Sequence, residues 1–175
     1  MTDTDSTRGQ IRHAIASNPG IHFNALVREL SLAPGQVQYH VRRLVKSEAV
    51  VRHERFGRTH YFDPSYDEWE RDALAVLRRE TSAAIATTLY TRESARPNEL
   101  VEDLDLPRST LEHHVDHLIE CDVVEREYVR GNRVVLSLAR PAETAGLLET
   151  VTPPPGARFV DRFERLVDSL LESRT

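Results

Sequence analysis

The chain has 175 residues, 39% of them hydrophobic, with 23 Lys and Arg against 28 Asp and Glu and a net charge of −5. That length holds one ordinary domain or two small ones, and no apolar run approaches the roughly 20 residues of a membrane-spanning helix. The N-terminal Met-Thr-Asp-Thr-Asp-Ser-Thr has neither the basic nor the apolar region of a secretion signal, and the single cysteine, Cys121, excludes an internal disulfide framework. Both features point to a reducing cytoplasm.

The charge is unevenly placed. Residues 1–64 hold nine Lys/Arg and six Asp/Glu (+3), residues 65–140 ten and sixteen (−6), and residues 141–175 four and six (−2). Positive charge is thus concentrated in the first third, as a nucleic-acid partner requires. Lys46 is the one lysine among the 23 basic residues; this arginine bias with an acidic balance suggests a salt-loving source.

In chain order, Ser6 or Thr7 can cap a first helix that turns Ile11, Ala14 and Ile15 inward, and Asn18-Pro19-Gly20 stops it. Ile21-His22 reads as a short extended piece. A second helix follows from about Asn24 to Leu30 with Leu26, Val27 and Leu30 apolar, then a tight turn over Ser31–Ala33. Pro34 suits the first turn of a third helix, where its missing N–H costs nothing. Ala33 stands where a Ser or Thr cap is usual, so that turn is either loosely held or capped by Ser31. Val50–Arg55 reads as a strand, Phe56–Thr59 as a turn and His60–Phe62 as the antiparallel return. Ser65 and Glu68 have capping-box spacing and open a helix through Trp69, Leu74 and Leu77 to about Arg79, which either runs on into the next unit or breaks at Thr81.

The third helix carries the strongest functional signal. At about 100° per residue, Val37, Val41, Leu44 and Val45 form one apolar stripe. Gly35, Tyr39, Arg42, Arg43 and Lys46 gather opposite, with Gln36 and Gln38 on the flanks and no carboxylate among them. A solvated helix face normally mixes its signs. Arg42, Arg43 and Lys46 can hold phosphates, Gln36 and Gln38 can read adenine, and an arginine can fork onto guanine. Tyr39 can donate to a phosphate, Gly35 lets backbone approach the duplex, and Arg55 and Arg58 flank the hairpin tip, where a wing would meet the backbone or a narrow minor groove. His40, at the edge of the stripe, reads as a packed, hydrogen-bonded histidine.

These residues justify a resemblance. The run "GIHFNALVRELSLAPGQVQYHVRRLVKSEAVV", followed by a hairpin with "FGRTHYF" at its tip, resembles the winged helix-turn-helix regulators of the ArsR/MarR-like kind, and more closely the tandem winged-helix regulators of haloarchaea. The His-apolar-x-x-Leu run of such recognition helices is matched by His40, Val41 and Leu44.

An internal repeat extends the pattern. A gapless shift of 74 residues places Leu26, Val27, Leu30 and Leu32 on Leu100, Val101, Leu104 and Leu106. The same shift places His40, Val41, Leu44 and Val50 on His114, Val115, Leu118 and Val124, Arg52 on Arg126, and Gly57 on Gly131. A second unit is therefore expected from about Thr81 to Leu138, with "LPRSTLEHHVDHL" as its third helix and Arg130-Gly131-Asn132 at its tip. That helix has lost the basic face: Glu112, Asp116 and Glu120 replace Gln38, Arg42 and Lys46. The second unit then reads as an architectural or protein-binding copy, although Arg130 and Arg133 leave a backbone contact open. His113, His117 and Cys121 recur at i, i+4 and i+8, with side chains that could hold zinc. Two turns, about 12 Å of rise, are too long for one ion to reach all three; two of them with a ligand from elsewhere is the alternative left open, and the expectation is no metal and no other cofactor.

Pro141 starts a short helix to about Val151, and Pro153-Pro154-Pro155-Gly156 is a stiff break. The last stretch, from Ala157 to about Ser173, spaces Phe159, Phe163, Leu166 and Leu170 as 4-3-4, flanked by Val160, Val167 and Leu171. So wide an apolar stripe either folds back on its own chain or pairs with a second copy; pairing is favoured, with Phe159, Phe163, Leu166, Val167 and Leu170 at the interface of a homodimer.

The expected architecture is mainly α with small β-hairpin wings. It comprises tandem winged helix-turn-helix repeats (1–64 and 81–140), a linker helix (65–80) and a C-terminal amphipathic helical region (141–175). No nucleophile motif, phosphate loop or paired acids suggest an enzyme. The expected function is sequence-specific binding of double-stranded DNA by a cytoplasmic transcriptional regulator. The alternative is a tandem winged-helix scaffold for protein partners, similar to those of chromosome condensation.

Overall fold

The computed structural model describes residues 6–151. Ser6 caps helix α1 (Thr7–Ser17), its hydroxyl accepting from the Gly9 amide at 3.0 Å. Strand β1 (Ile21–His22) leads into α2 (Phe23–Leu30), where the His22 ring takes the capping role by accepting from the Ala25 amide. Ser31 adopts a left-handed conformation that ends α2, so it does not cap the next helix. That helix, α3 (Pro34–Lys46), starts with proline in its first turn and no side-chain cap.

Strands β2 (Val51–Arg55) and β3 (Arg58–Phe62) pair antiparallel, and β1 adds to the far side of β3. The hairpin loop is tighter than the four residues expected: Phe56 and Gly57 alone make the turn, both left-handed, at φ 49° and 71°. Two-residue loops of this hand match the natural strand twist. Ile11, Ala14 and Ile15 of α1, Leu26 of α2, Val37, Val41 and Leu44 of α3, and Tyr61 of β3 close a first core.

Helix α4 (Glu68–Leu77) begins two residues later than the sequence suggested. Asp63 is the reason: its carboxylate accepts from the Ser65 amide, a bond that also holds its pKa low, so Ser65 belongs to a turn. Asp67 and Glu70 then form the capping box in place of Ser65 and Glu68, each side chain bonding the other's amide at 2.8 Å. The helix neither runs on nor breaks at Thr81. It ends at Leu77, and α5 (Glu80–Arg92) starts after an extended Arg79.

The remaining elements follow the earlier order: β4 (Ser94–Ala95), α6 (Pro97–Leu104), α7 (Arg108–Glu120), β5 (Val124–Val129) and β6 (Arg133–Leu138). The strand order β4-β6-β5 matches β1-β3-β2. Helices α6 and α7 lie 74 residues after α2 and α3 at both ends. Three pairs of left-handed residues keep the same spacing, Ser31 and Asp105, Glu48 and Asp122, Gly57 and Gly131, whereas Gly20, Phe56, Glu93 and Asn132 have no such counterpart. Helix α8 (Pro141–Val151) closes the described chain. The C-terminal stripe of Phe159, Phe163, Leu166, Val167 and Leu170 lies outside the described residues.

Helix α4 is more than a connection. Ala73, Leu74, Val76 and Leu77 are buried in a second core with Ile85 and Leu89 of α5, Leu111, Val115 and Leu118 of α7, and Leu147 and Leu148 of α8. One side chain of the first sheet, Phe62, belongs to this second core and not to its own. Gly20 makes room for it. At φ +81° a Cβ on Gly20 would lie 3.2 Å from the Phe62 ring and 3.1 Å from Arg78, so both backbone hand and space favour glycine.

Candidate nucleic-acid interface

The burial of α3 splits its residues cleanly. Val37, Val41 and Leu44 are buried and Val45 is half-buried, while Gly35, Gln36, Gln38, Tyr39, Arg42, Arg43 and Lys46 are exposed. Tyr39 keeps 54% of its surface in solvent. Its hydroxyl accepts from Arg43 Nη1 at 2.7 Å, and the same guanidinium lies 5.6 Å from its ring centre. Tyr39 therefore holds Arg43 out from the helix in a fixed direction. No ion pair of Arg42, Arg43 or Lys46 occurs among the described residues, so their charge is uncompensated at short range. Gly35 faces open space, with nothing within 4 Å of where a Cβ would stand.

A groove of about 470 Å³ runs between α3 and the sheet, lined by Gln38, Arg42 and Lys46 on one side and Arg52, Thr59 and Tyr61 on the other. Arg52 was missed in the sequence. Strand alternation held the signal: Val51, His53 and Arg55 share one face of β2 and are half-buried, whereas Arg52 and Glu54 share the other and are exposed. Among the described residues Arg52 is ion-paired only with its strand neighbour Glu54.

The same alternation corrects the expectation for Arg55. It points away from the α3 groove, with Nε 3.4 Å from Asp72 of α4 and Nη2 3.4 Å from the Glu120 carboxylate of α7. Nη2 also donates to the Glu120 backbone carbonyl at 3.1 Å, where the C-terminal end of a helix favours a cation. Arg55 is thus spent on holding two parts of the chain together. Arg58, its partner in register, lies on the same sheet face but is exposed.

His40 packs edge-on to Tyr39, ring centres 5.1 Å apart, but its buried Nδ1 has no hydrogen-bond partner among the described residues, contrary to the expectation. Its counterpart His114 does have one, the buried Ser82 hydroxyl at 2.9 Å. His60 is buried, and its Nδ1 meets the Gly20 carbonyl at 2.8 Å. Burial, with His22, Arg78 and His53 nearby, lowers its pKa.

In the second unit the equivalent surface is neutralised from within. Arg126, the counterpart of Arg52, reaches across to Glu112 at 3.4 Å and Asp116 at 3.5 Å, and Arg108 pairs with Glu112 at 2.8 Å. A phosphate approaching α7 would meet carboxylates already holding the local arginines. Of the three residues weighed for a metal, His113 is exposed, His117 lies against the first hairpin and Cys121 is buried. Burial pushes the Cys121 thiol up to about 11 although Arg55 stands beside it. No group of three His, Cys, Asp or Glu able to hold a metal occurs among the described residues. No described helix is long and apolar enough to cross a membrane.

Two comparisons bear on this surface. Residues 5–74 match a family model described as an N-terminal HTH domain, a span covering α1 to β3 and the start of α4. The chain is also 26% identical over 131 residues, 75% of its length, to an uncharacterized HTH-type transcriptional regulator of Methanocaldococcus jannaschii. It spans 33% of that relative's length. The first unit is thus similar to a helix-turn-helix domain, with α2 and α3 lying inside the matched span and the β2–β3 hairpin after them.

Proposed function

We propose that this winged helix-turn-helix protein is a sequence-specific, DNA-binding transcriptional regulator that lays α3 in the major groove. The observation carrying this reading is the exposed α3 face, with Arg42, Arg43 and Lys46 unpaired among the described residues and no acid beside them. Gly35, Gln36, Gln38 and Tyr39 complete the reading surface. Arg52 extends the positive groove onto the wing, and Arg58 is the wing residue left to meet the backbone. Phosphate contacts position the helix; glutamine and arginine contacts to base edges specify the site, each good pair adding about 1–3 kcal/mol of discrimination. Residues 1–64 would form the reading domain, 65–80 the connecting helix, and 81–140 a second domain whose acidic α7 favours protein contact over DNA. That acidity also supports a second reading, a tandem scaffold for protein partners.

Fluorescence anisotropy with a pool of random duplexes at several salt concentrations separates the two readings. The regulator should bind with log affinity falling linearly in log salt, a slope of about −0.9 per phosphate neutralised, and selection from the pool should enrich one motif. A scaffold would show no such binding.

A lone helix contacts too few base pairs to select a genomic site, so the regulator is expected to act as a dimer through residues 157–173. A two-fold pair would read an inverted repeat with half-sites about one helical turn, ~34 Å, apart or a multiple of it. Light scattering should give twice the chain mass of 20.0 kDa for the full chain and the single mass after deletion beyond Gly156. A full-length protein that is monomeric at micromolar concentration would refute the dimer.

A further inference from the structure

The tip of the first wing is not free. Phe56 stacks on His117 of α7 with ring centres 4.1 Å apart and planes tilted by 33°. The Arg79 guanidinium, from the α4–α5 junction, lies 4.9 Å from the Phe56 ring centre and donates to His117 Nδ1 at 2.8 Å. Phe56 holds this position from a left-handed backbone, φ 49°, which a bulky residue rarely adopts. Asn-Gly is the pair such a turn prefers. The turn gains nothing from phenylalanine, so its ring serves the contact across the joint.

The chemistry of the joint is set by one nitrogen. A guanidinium can only donate, so the nitrogen facing it, His117 Nδ1, must be bare and the ring neutral, with its proton on Nε2. The next proton would have to enter at Nδ1, the site Arg79 occupies. Uptake would replace a hydrogen bond with two cations in contact.

The groups around the ring do not offset this. Of the carboxylates on its own helix, Glu120 is paired with Arg55, Asp116 lies 3.5 Å from Arg126, and Glu112 is paired with Arg108 and Arg126. His113 sits 4.3 Å away, ring to ring, and Arg58 adds positive charge near Arg79. A protonated His117 would be the third cation around Phe56, after Arg55 at 5.2 Å and Arg79. Burial, His113 and Arg79 accordingly hold the His117 pKa below its ordinary value, outweighing Glu120 and Asp116.

We propose that Phe56, His117 and Arg79 form a proton-sensitive latch by which the second unit grips the wing of the first, closed while His117 is neutral and opened when it takes up a proton. This gives α7 a role its acidic face denies it on DNA: it is the seat of the neighbouring wing. The sign follows from the direction of the shift. A histidine held below its ordinary value of about 6.5 favours the closed joint above that pH, and the advantage is lost as pH falls through 6.5 and below. The strand behind the turn stays anchored, His53 to Asp72 of α4 and Arg55 to both Asp72 and Glu120, so opening releases the Phe56 ring and its turn rather than the strand.

The latch does not rest on the DNA reading, and its test uses no DNA. NMR on the labelled full chain would follow the His117 ring and the backbone amides of residues 54–59 from pH 8 to pH 5. In the wild type the wing amides should shift with the His117 midpoint, and Phe56–His117 ring contacts should disappear on the acid side. Phe56→Asn, which gives the turn its preferred Asn-Gly pair while deleting the ring, should move the His117 midpoint up toward 6.5. His117→Gln, which has no imidazole to titrate there, should abolish the part of the wing-amide shift that follows the His117 midpoint. An unchanged His117 midpoint in Phe56→Asn, or wing amides that ignore His117 in the wild type, would overturn the latch.

Discussion

Arg42→Glu is expected to remove most DNA affinity, whereas Asp116→Ala, at the equivalent place in the second unit, leaves it unchanged or slightly raised. Arg42 is the cleaner of the two adjacent arginines to test, because Arg43 is also bonded to Tyr39 and its loss would disturb that side chain as well. Hydrogen bonds to charged groups contribute about 1.5–3 kcal/mol, roughly a ten- to hundredfold loss of affinity. The carboxylate then adds a repulsive charge to a groove also lined by Lys46 and Arg52. The salt dependence should flatten by about one unit of slope for the lost phosphate contact. Both residues are exposed, so neither change should alter stability enough to confuse the readout. Anisotropy titrations at two salt concentrations give both numbers. Should Asp116→Ala or its neighbours weaken binding more than Arg42→Glu, the reading domain is the second one.

Local pattern made much of this molecule legible. Periodicity placed Ile11, Ala14 and Ile15 inside α1, and the third helix with Val37, Val41 and Leu44 inward, because each depends on spacing within one element. Proline at residue 141 and the run to Val151 gave the eighth helix its bounds for the same reason. Contacts between distant elements were not legible. Alternation in β2 holds the signal that Arg52 and Arg55 lie on opposite faces, a signal the expectation for Arg55 left unused, and nothing in it says that α4 and α7 cover the Arg55 side. Two capping-box frames, Ser65 with Glu68 and Asp67 with Glu70, competed for the start of α4, and the Asp63–Ser65 turn decided between them. His40 needed a partner that sequence could not supply or deny. Phe62 is the clearest case: it reads as the last residue of a wing strand and is a core residue of the neighbouring unit.

That placement makes Phe62→Ala the substitution with the largest expected cost in stability. The side chain is 0% exposed and lies in the second core with Leu74, Leu77 and Leu118, while its backbone pairs with Val51 in the first sheet. Its ring also meets His53 at 6.0 Å and Tyr66 at 6.1 Å between centres, and Arg78 and Gly20 pack at its edge of the first unit. Truncating a buried phenylalanine costs about 3–5 kcal/mol, out of the 5–15 kcal/mol that typical folded proteins have in reserve. For a chain of this size that is a fall of roughly 6–20 °C in Tm. The cavity would open on the seam between the two cores, so the loss should reach both. Wild type should unfold in a single calorimetric transition, and Phe62→Ala should lower and broaden it as the first unit begins to melt apart from the second. Leu26→Ala, buried in the first core alone, is the comparison: it should destabilise the first unit without loosening the seam. A Phe62→Ala protein whose Tm falls by less than about 3 °C, against the 6 °C minimum from the same scaling, would mean that this ring does not join the two units.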